Sequence, residues 1–195
     1  MYHHIYHTNG FILGSRNTGE ANKMLSIYTR EMGLIRATVQ GIRFHKSKLR
    51  FALQDFYYAK IDLVRGKDIW RVTSATNVNS FPLARANKQS LLLIARISKL
   101  LERLCGGEEA NEKIFNDLIQ ALYLLDDSNI SDESREALEL HIVLRIMNSL
   151  GYIGGSSILD DYLTSEFSNE LTKSLLKERK SIISHINRAI NESQL

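Results

Sequence analysis

The sequence predicts an α+β protein in which a small antiparallel β-barrel precedes an all-α region. The first half of the 195-residue chain alternates apolar and polar residues with period two, as half-buried strands do. The second half repeats its apolar residues every three or four positions, as amphipathic helices do. The single proline, Pro82, stands where one period replaces the other. We therefore expect two domains, at residues 1–80 and 81–195.

Five short strands are predicted in the first half. Turn signals separate them at Asn17-Thr18-Gly19, at Met32-Gly33 and at Arg65-Gly66-Lys67. A sheet of this size must close on itself or be covered to hide its edge strands, which favours a barrel. The expected strands lie near residues 11–13, 24–29, 35–41, 57–63 and 70–74.

Four helices are predicted in the second half. The first is expected to end at Gly106-Gly107, because glycine commonly terminates helices. Ser131 is predicted as the N-cap of the third, since Asp132 and Glu133 follow it and favour the positive end of a helix dipole. The apolar stripes cover residues 91–104, 114–125, 138–150 and 169–190.

Charge is distributed unevenly between the two halves. Residues 1–80 hold twelve Lys and Arg against five Asp and Glu, whereas residues 81–195 hold thirteen against seventeen. The first half is thus +7 and the second −4, an asymmetry that suggests a polyanion partner for the first half. The alternative is a solvated basic face without a partner.

Several classes of protein are disfavoured by what the sequence lacks. No apolar run approaches the ~18 residues of a membrane helix, and no signal peptide is recognisable at the N-terminus. Cys105 is the single cysteine, so we expect a reducing cytoplasm and no zinc site built from several cysteines. His3, His4 and His7 are expected in a frayed terminal segment rather than at a metal. Because no catalytic motif is found, we expect neither an enzyme nor a cofactor.

A basic stretch is the best candidate for a binding site. No acidic residue occurs between Glu31 and Asp55. Clustered cations beside aromatic rings suit a groove for single strands, where charge follows the phosphates and rings stack on bases. Phe51 is expected in the core, whereas Phe44 could be buried or could stack on a base. The cations are Arg36, Arg43, Lys46, Lys48 and Arg50.

The strand alternation adds a second group of candidates. If the apolar positions of the strands face inward, the intervening residues form an outer face. Such a face could act as a binding platform, or its polar side chains could simply pair across strands. The residues concerned are Tyr28, Arg36, Tyr58, Lys60 and Arg71.

The first sixty residues resemble the start of RecO, the bacterial DNA-repair and recombination mediator family. The resemblance implies an OB-type barrel followed by a helical domain. It also implies binding of single- and double-stranded DNA, annealing of complementary strands, and partnership with RecR in loading recombinase onto strands covered by single-strand-binding protein. The matching features are Gly19-Glu20, Thr29 four residues before Gly33, Gly41, Ser47-Lys48-Leu49-Arg50, Leu53-Gln54 and Phe56.

The same resemblance implies a site for the acidic C-terminal tail of single-strand-binding protein in the helical half. His141 and Arg145 lie four residues apart beside an apolar stripe and are the candidates. The alternative is that Arg145 pairs with a neighbouring acid such as Glu139 or lies in solvent. Many relatives carry a four-cysteine zinc motif after a Leu-Gly-Tyr element. Here no cysteine follows Leu150-Gly151-Tyr152, so we expect this zinc site to be absent.

The resulting hypothesis is a non-enzymatic DNA-binding mediator of repair and recombination, acting in the bacterial cytoplasm at the nucleoid. Two rivals remain open: an RNA-binding OB-fold protein tied to ribosomes or translation, and a protein–protein adaptor. The expected stacking residues are Tyr28, Phe44 and Tyr58. The expected phosphate contacts are Arg36, Arg43, Lys46, Lys48, Arg50, Lys60 and Arg71.

Overall fold

The computed structural model of the chain describes residues 4–67, 69–153, 159–165 and 174–192. Its first half contains five strands that form a closed barrel in the order β1-β2-β3-β5-β4. This confirms the predicted OB-type barrel followed by helices. The strands are β1 (Ile5–Thr18), β2 (Asn22–Thr29), β3 (Gly33–Val39), β4 (Tyr58–Arg65) and β5 (Trp70–Asn79).

Strand β1 is much longer than the sequence predicts. Its residues Gly10–Thr18 pair with β2, and its residues Ile5–Phe11 pair with β4. A shift in register between Ile12 and Gly14 marks a β-bulge, so Gly14 lies inside the strand rather than at its end. The expectation of a frayed terminal segment is therefore wrong for His7, which belongs to β1 and pairs with Asp62 of β4.

The barrel closes through a short parallel contact, in which Ala37 and Thr38 of β3 pair with Trp70 and Arg71 of β5. The other neighbouring strands are antiparallel. The period-two alternation places the apolar side chains inside, as predicted. The core residues include Ile12, Leu25, Ile27, Ile35, Ala37, Val39, Ile61, Leu63 and Val72.

Thr29 and Gly33, two of the residues that carry the resemblance, form the turn between β2 and β3. The Thr29 hydroxyl donates to the Gly33 carbonyl at 2.9 Å and accepts from the Met32 amide at 3.2 Å. Gly33 has a φ of +63°, and a Cβ there would stand 2.1 Å from the carbonyl oxygen of Glu109. Only glycine fits this backbone conformation and this close approach.

Helices occupy most of the second half. The Ser131 hydroxyl accepts from the Ser134 amide at 3.1 Å, which confirms the predicted N-cap of the third long helix. The predicted start of the last helix, near Asn169, lies outside the described residues. The helices are α1 (Leu49–Ala52), α2 (Pro82–Ala86), α3 (Lys88–Leu104), α4 (Glu112–Leu125), α5 (Asp132–Ser149), α6 (Asp160–Thr164) and α7 (Arg179–Glu192). Of these, α1, α2 and α6 were not predicted.

The chain forms two compact units. The barrel unit comprises Met1–Pro82 and Ile94–Phe115, and the helical unit comprises Leu83–Leu93 and Asn116–Leu195. The limits between them fall within α2, α3 and α4, whereas the assignment of residues 1–80 and 81–195 to separate domains stays a prediction. No helix in the described parts of the chain is long and apolar enough to cross a membrane.

Candidate nucleic-acid interface

The basic stretch forms the connection between β3 and α1, and its cations are exposed. Arg43, Lys46 and Lys48 lie in the connection itself, and Arg50 lies in α1. Among the described residues, none of these four side chains takes part in an ion pair. Their charges are therefore available to an anion from solvent.

The connection is anchored to the turn between β1 and β2. The Arg43 amide donates to the carbonyl of Ala21 at 3.0 Å, and the Arg43 guanidinium donates to the carbonyl of Gly19 at 3.2 Å. The Gly41 amide donates to the Asn22 side chain at 2.9 Å, with a φ of +66° at the glycine. These bonds fix where the basic connection leaves the barrel.

Two phenylalanine rings stand out from this connection. Phe44 is 63% exposed and Phe51 is 64% exposed, so the expectation that Phe51 packs in the core is wrong. The short helix α1 turns Ala52 and the following Leu53 inward instead, and both of these are buried. The Arg50 guanidinium lies over the Phe51 ring, 5.0 Å from its centre. Exposed rings beside cations are the combination that proteins use to bind single-stranded nucleic acids.

The outer face of the sheet contributes three more exposed cations, on β3, β4 and β5: Arg36, Lys60 and Arg71. Within the ranges that the structure covers, these three are also outside any ion pair. The register between β3 and β5 places Thr38 beside Arg71, and Thr38 lies two residues from Arg36 on the outer side of β3. Lys60 of β4 also lies on the outer side of the barrel, where it pairs with Thr76 of β5.

Arg16 is a cation of this face that the sequence analysis missed. It pairs in register with Met24 of β2, which pairs with Thr38 of β3, which pairs with Arg71 of β5. One row across four strands thus carries an arginine at each end. The period-two rule could have found Arg16 if β1 had not been taken to end at Gly14.

Tyr28 is a correction to the predicted face. Its ring is only 1% exposed, because it stacks on Phe115 with 6.4 Å between the ring centres. Burial raises the pKa of the Tyr28 hydroxyl above its ordinary range, and the nearby Cys105 thiol raises it further. Tyr58 packs against the same Phe115 at 6.1 Å and is half-buried. Tyr28 therefore cannot stack on a base in this conformation.

The second correction concerns His141 and Arg145 of the helical unit. Both are buried, with 3% and 8% of their surface exposed. The Arg145 guanidinium Nε lies 3.0 Å from Oδ2 of Asp117, and its other end donates to the carbonyl of Ser165 at 3.1 Å. A tail peptide cannot reach a guanidinium that is already paired inside the unit.

His141 is buried as well, and its ring contacts the backbone of α6. Its Nε2 lies 2.6 Å from the carbonyl of Tyr162, an arrangement that a neutral ring with the proton on Nε2 satisfies by donating. Burial lowers the pKa of His141 to about 4, and the charge of Arg145 acts in the same direction. Both residues of the predicted partner site thus belong to the interior.

In the parts of the chain that are described, no group of three or more His, Cys, Asp or Glu side chains is arranged to hold a metal ion. Residues 154–158, which follow the Leu-Gly-Tyr element, lie outside those parts. Cys105 is half-buried, and burial raises the pKa of its thiol.

Comparisons with known proteins agree with the fold. The family model described as recombination protein O N terminal matches residues 1–81. A DNA repair protein RecO from Dehalococcoides mccartyi is 31% identical over 140 residues, which cover 72% of this chain and 55% of that protein. The RecO protein of Pelotomaculum thermopropionicum is 30% identical over 148 residues, covering 76% and 56%. The chain spans about half the length of the curated relatives that it matches. With the barrel, the turn glycines and these matches in agreement, the chain belongs to the RecO family.

Proposed function

We propose that this chain binds DNA strands in repair and recombination, without covalent chemistry and without a nucleotide cofactor. The observation that carries the proposal is the connection between β3 and α1. Four exposed cations and two exposed phenylalanine rings lie together in a stretch that contains no acid. Cations neutralise phosphates, and rings stack on unpaired bases. This segment therefore suits a single strand, whose bases are unpaired, better than a duplex.

The outer face of the sheet extends the same interface in our proposal. Arg36, Lys60 and Arg71 supply further phosphate contacts, and Arg16 of β1 joins them. Phosphate contacts position a strand but carry no sequence information. We therefore expect binding that is mainly electrostatic.

A salt titration tests this proposal. Fluorescence anisotropy of labelled single strands should give a log affinity that falls with log salt at a slope near −3.5 if about five phosphates are neutralised. A flat salt response would contradict it and favour the adaptor. Competition between DNA and RNA strands of matched sequence separates the two nucleic acids, and a clear preference for RNA would favour the translation-related alternative.

The finer roles that RecO resemblance implies are also proposals: annealing of complementary strands, partnership with RecR, and recombinase loading at the nucleoid in the cytoplasm. Annealing can be followed by fluorescence transfer between labelled complementary strands, and RecR binding by co-purification. We do not place the tail of single-strand-binding protein at His141 and Arg145, because both are buried. Titration of a tail peptide against the whole chain tests whether another surface binds it.

A further inference from the structure

A cavity of about 320 Å³ opens on the outer face of the sheet, within the barrel unit. Three strands and one helix line it, and its size falls within the roughly 300–1,000 Å³ of small-molecule sites. The lining residues are Gly14, Ser15 and Arg16 of β1, Met24 and Ser26 of β2, Arg36 of β3 and Glu102 of α3.

The charged groups of this cavity are of both signs. Arg16 and Arg36 bring two guanidinium groups, and Glu102 brings a carboxylate. All three side chains are exposed, and none is in an ion pair among the residues described. Because the Glu102 carboxylate forms no ion pair with either arginine, the cavity offers a ligand both guanidinium donors and carboxylate acceptors.

Gly14 leaves this cavity open. It sits at the β-bulge of β1, and a Cβ built on it would meet nothing within 4 Å. Its backbone does not lie in the left-handed region, so the backbone at this position tolerates a side chain. A side chain introduced at Gly14 would start from the wall of the cavity.

We propose that this cavity takes one unpaired guanine nucleotide of a bound strand, an inference that rests on the proposed function. Arg16 and Arg36 hold the phosphate, since guanidinium groups match phosphate geometry. Glu102 accepts hydrogen bonds from the base. A carboxylate has two acceptor oxygens, and guanine presents two adjacent donors, N1–H and the N2 amine, on its Watson–Crick edge.

The other bases match Glu102 less well. Thymine has one N–H between two carbonyl oxygens, which a carboxylate repels, and adenine and cytosine each place a ring acceptor beside the amine. In a duplex the guanine donors are already bound to cytosine. The cavity therefore selects an unpaired guanine, because proteins read the Watson–Crick edges of unstacked bases.

The test compares strands of about 15 nucleotides, near the upper site size of a single OB barrel. Fluorescence anisotropy is measured in lithium buffer for thymine strands, for strands with guanine at every third position, and for the same strands with hypoxanthine, which lacks the N2 amine. We expect guanine strands to bind at least about fivefold more tightly than thymine strands, as a bidentate base contact allows, with hypoxanthine between them.

Two variants separate this site from a general charge effect. Glu102→Gln should abolish the guanine preference while thymine strands bind as tightly or more tightly, because a repelling charge is removed. Gly14→Leu should also abolish the preference and leave the salt-dependent binding of thymine strands. Glu133→Gln, an exposed change in the helical unit, is the matched control and should keep the preference.

Equal affinity of the wild type for all three strands would overturn the inference and leave the proposed function standing. A guanine preference that survives in Glu102→Gln would overturn it as well. No binding of any strand at low salt would overturn the proposed function, and this inference with it.

Discussion

Removal of three positive charges from the connection between β3 and α1 and from α1 itself should change the salt dependence of DNA binding by a predictable amount. The perturbation is the triple variant Lys46→Ala, Lys48→Ala and Arg50→Ala. All three side chains are exposed and outside ion pairs in the described structure, so each can neutralise one phosphate. Each phosphate contact contributes about −0.7 to the slope of log affinity against log salt on a single strand. The slope of the triple variant should therefore be shallower by about 2.

The fold should survive this change. Surface substitutions usually alter stability by less than ~0.5 kcal/mol each, and alanine is a good helix former at position 50. The contact between the Arg50 guanidinium and the Phe51 ring is lost, which costs about 0.5–1 kcal/mol at an exposed site. Thermal unfolding followed by circular dichroism checks that the barrel remains folded before the titration is interpreted.

A matched control removes three charges elsewhere. Lys88, Lys177 and Lys180 are exposed cations of the helical unit. Their replacement by alanine lowers the net charge equally, so it reports on long-range attraction alone. Our reasoning would be refuted if both triple variants kept the wild-type slope, or if both lost the same amount, because the basic connection would then have no special role.

Three further predictions concern stacking and the interior of the helical unit. Phe44→Ala and Phe51→Ala should each weaken binding of single strands by about 1–3 kcal/mol without changing the salt slope, and unchanged anisotropy curves would exclude stacking there. Arg145→Ala should lower the free energy of unfolding by about 3–5 kcal/mol in urea titrations, since it leaves buried Asp117 without its cation, and a loss below about 1 kcal/mol would show that the pair is dispensable. The pKa of His141 is about 4 in the folded chain and about 6.5 in the unfolded chain, so between these pH values mainly the unfolded chain takes up the proton. The free energy of unfolding should therefore fall by about 3 kcal/mol as the pH is lowered from about 6.5 to 4. That loss should be missing in His141→Gln, and an identical pH dependence in both proteins would contradict it.

The barrel was predictable because period two is a local property of a strand. The same rule failed for Tyr28, since alternation states which side of a strand a residue occupies and not what covers that side. The cover is Phe115, which lies 87 residues further along the chain. No local pattern around Tyr28 indicates that contact, so the burial of Tyr28 could be recognised only from the tertiary structure.

The candidate site shows a related limit. Phe51 was expected inside because an apolar ring usually is, but the four-residue helix α1 was not predicted, and it turns Ala52 inward instead. Likewise the spacing of His141 and Arg145 correctly placed them on one face of α5. It could not state that this face is the buried one, nor that Asp117 of α4 supplies the partner.

Net charge alone also misidentifies which cations are available. The first half carries +7, yet two of its arginines are paired with acids from the second half. Glu112 lies 3.8 Å from Arg30, and Glu108 accepts from both Arg65 and the Trp70 indole. These acids belong to the barrel unit, although they follow the barrel in sequence. The cations of the connection between β3 and α1 take part in no ion pair among the described residues, and the same holds for Arg16, Arg36, Lys60 and Arg71. The local pairing of charges, rather than their sum over half the chain, therefore identifies the cations open to a strand. The exposed rings of Phe44 and Phe51 then favour the connection as the strand-binding site.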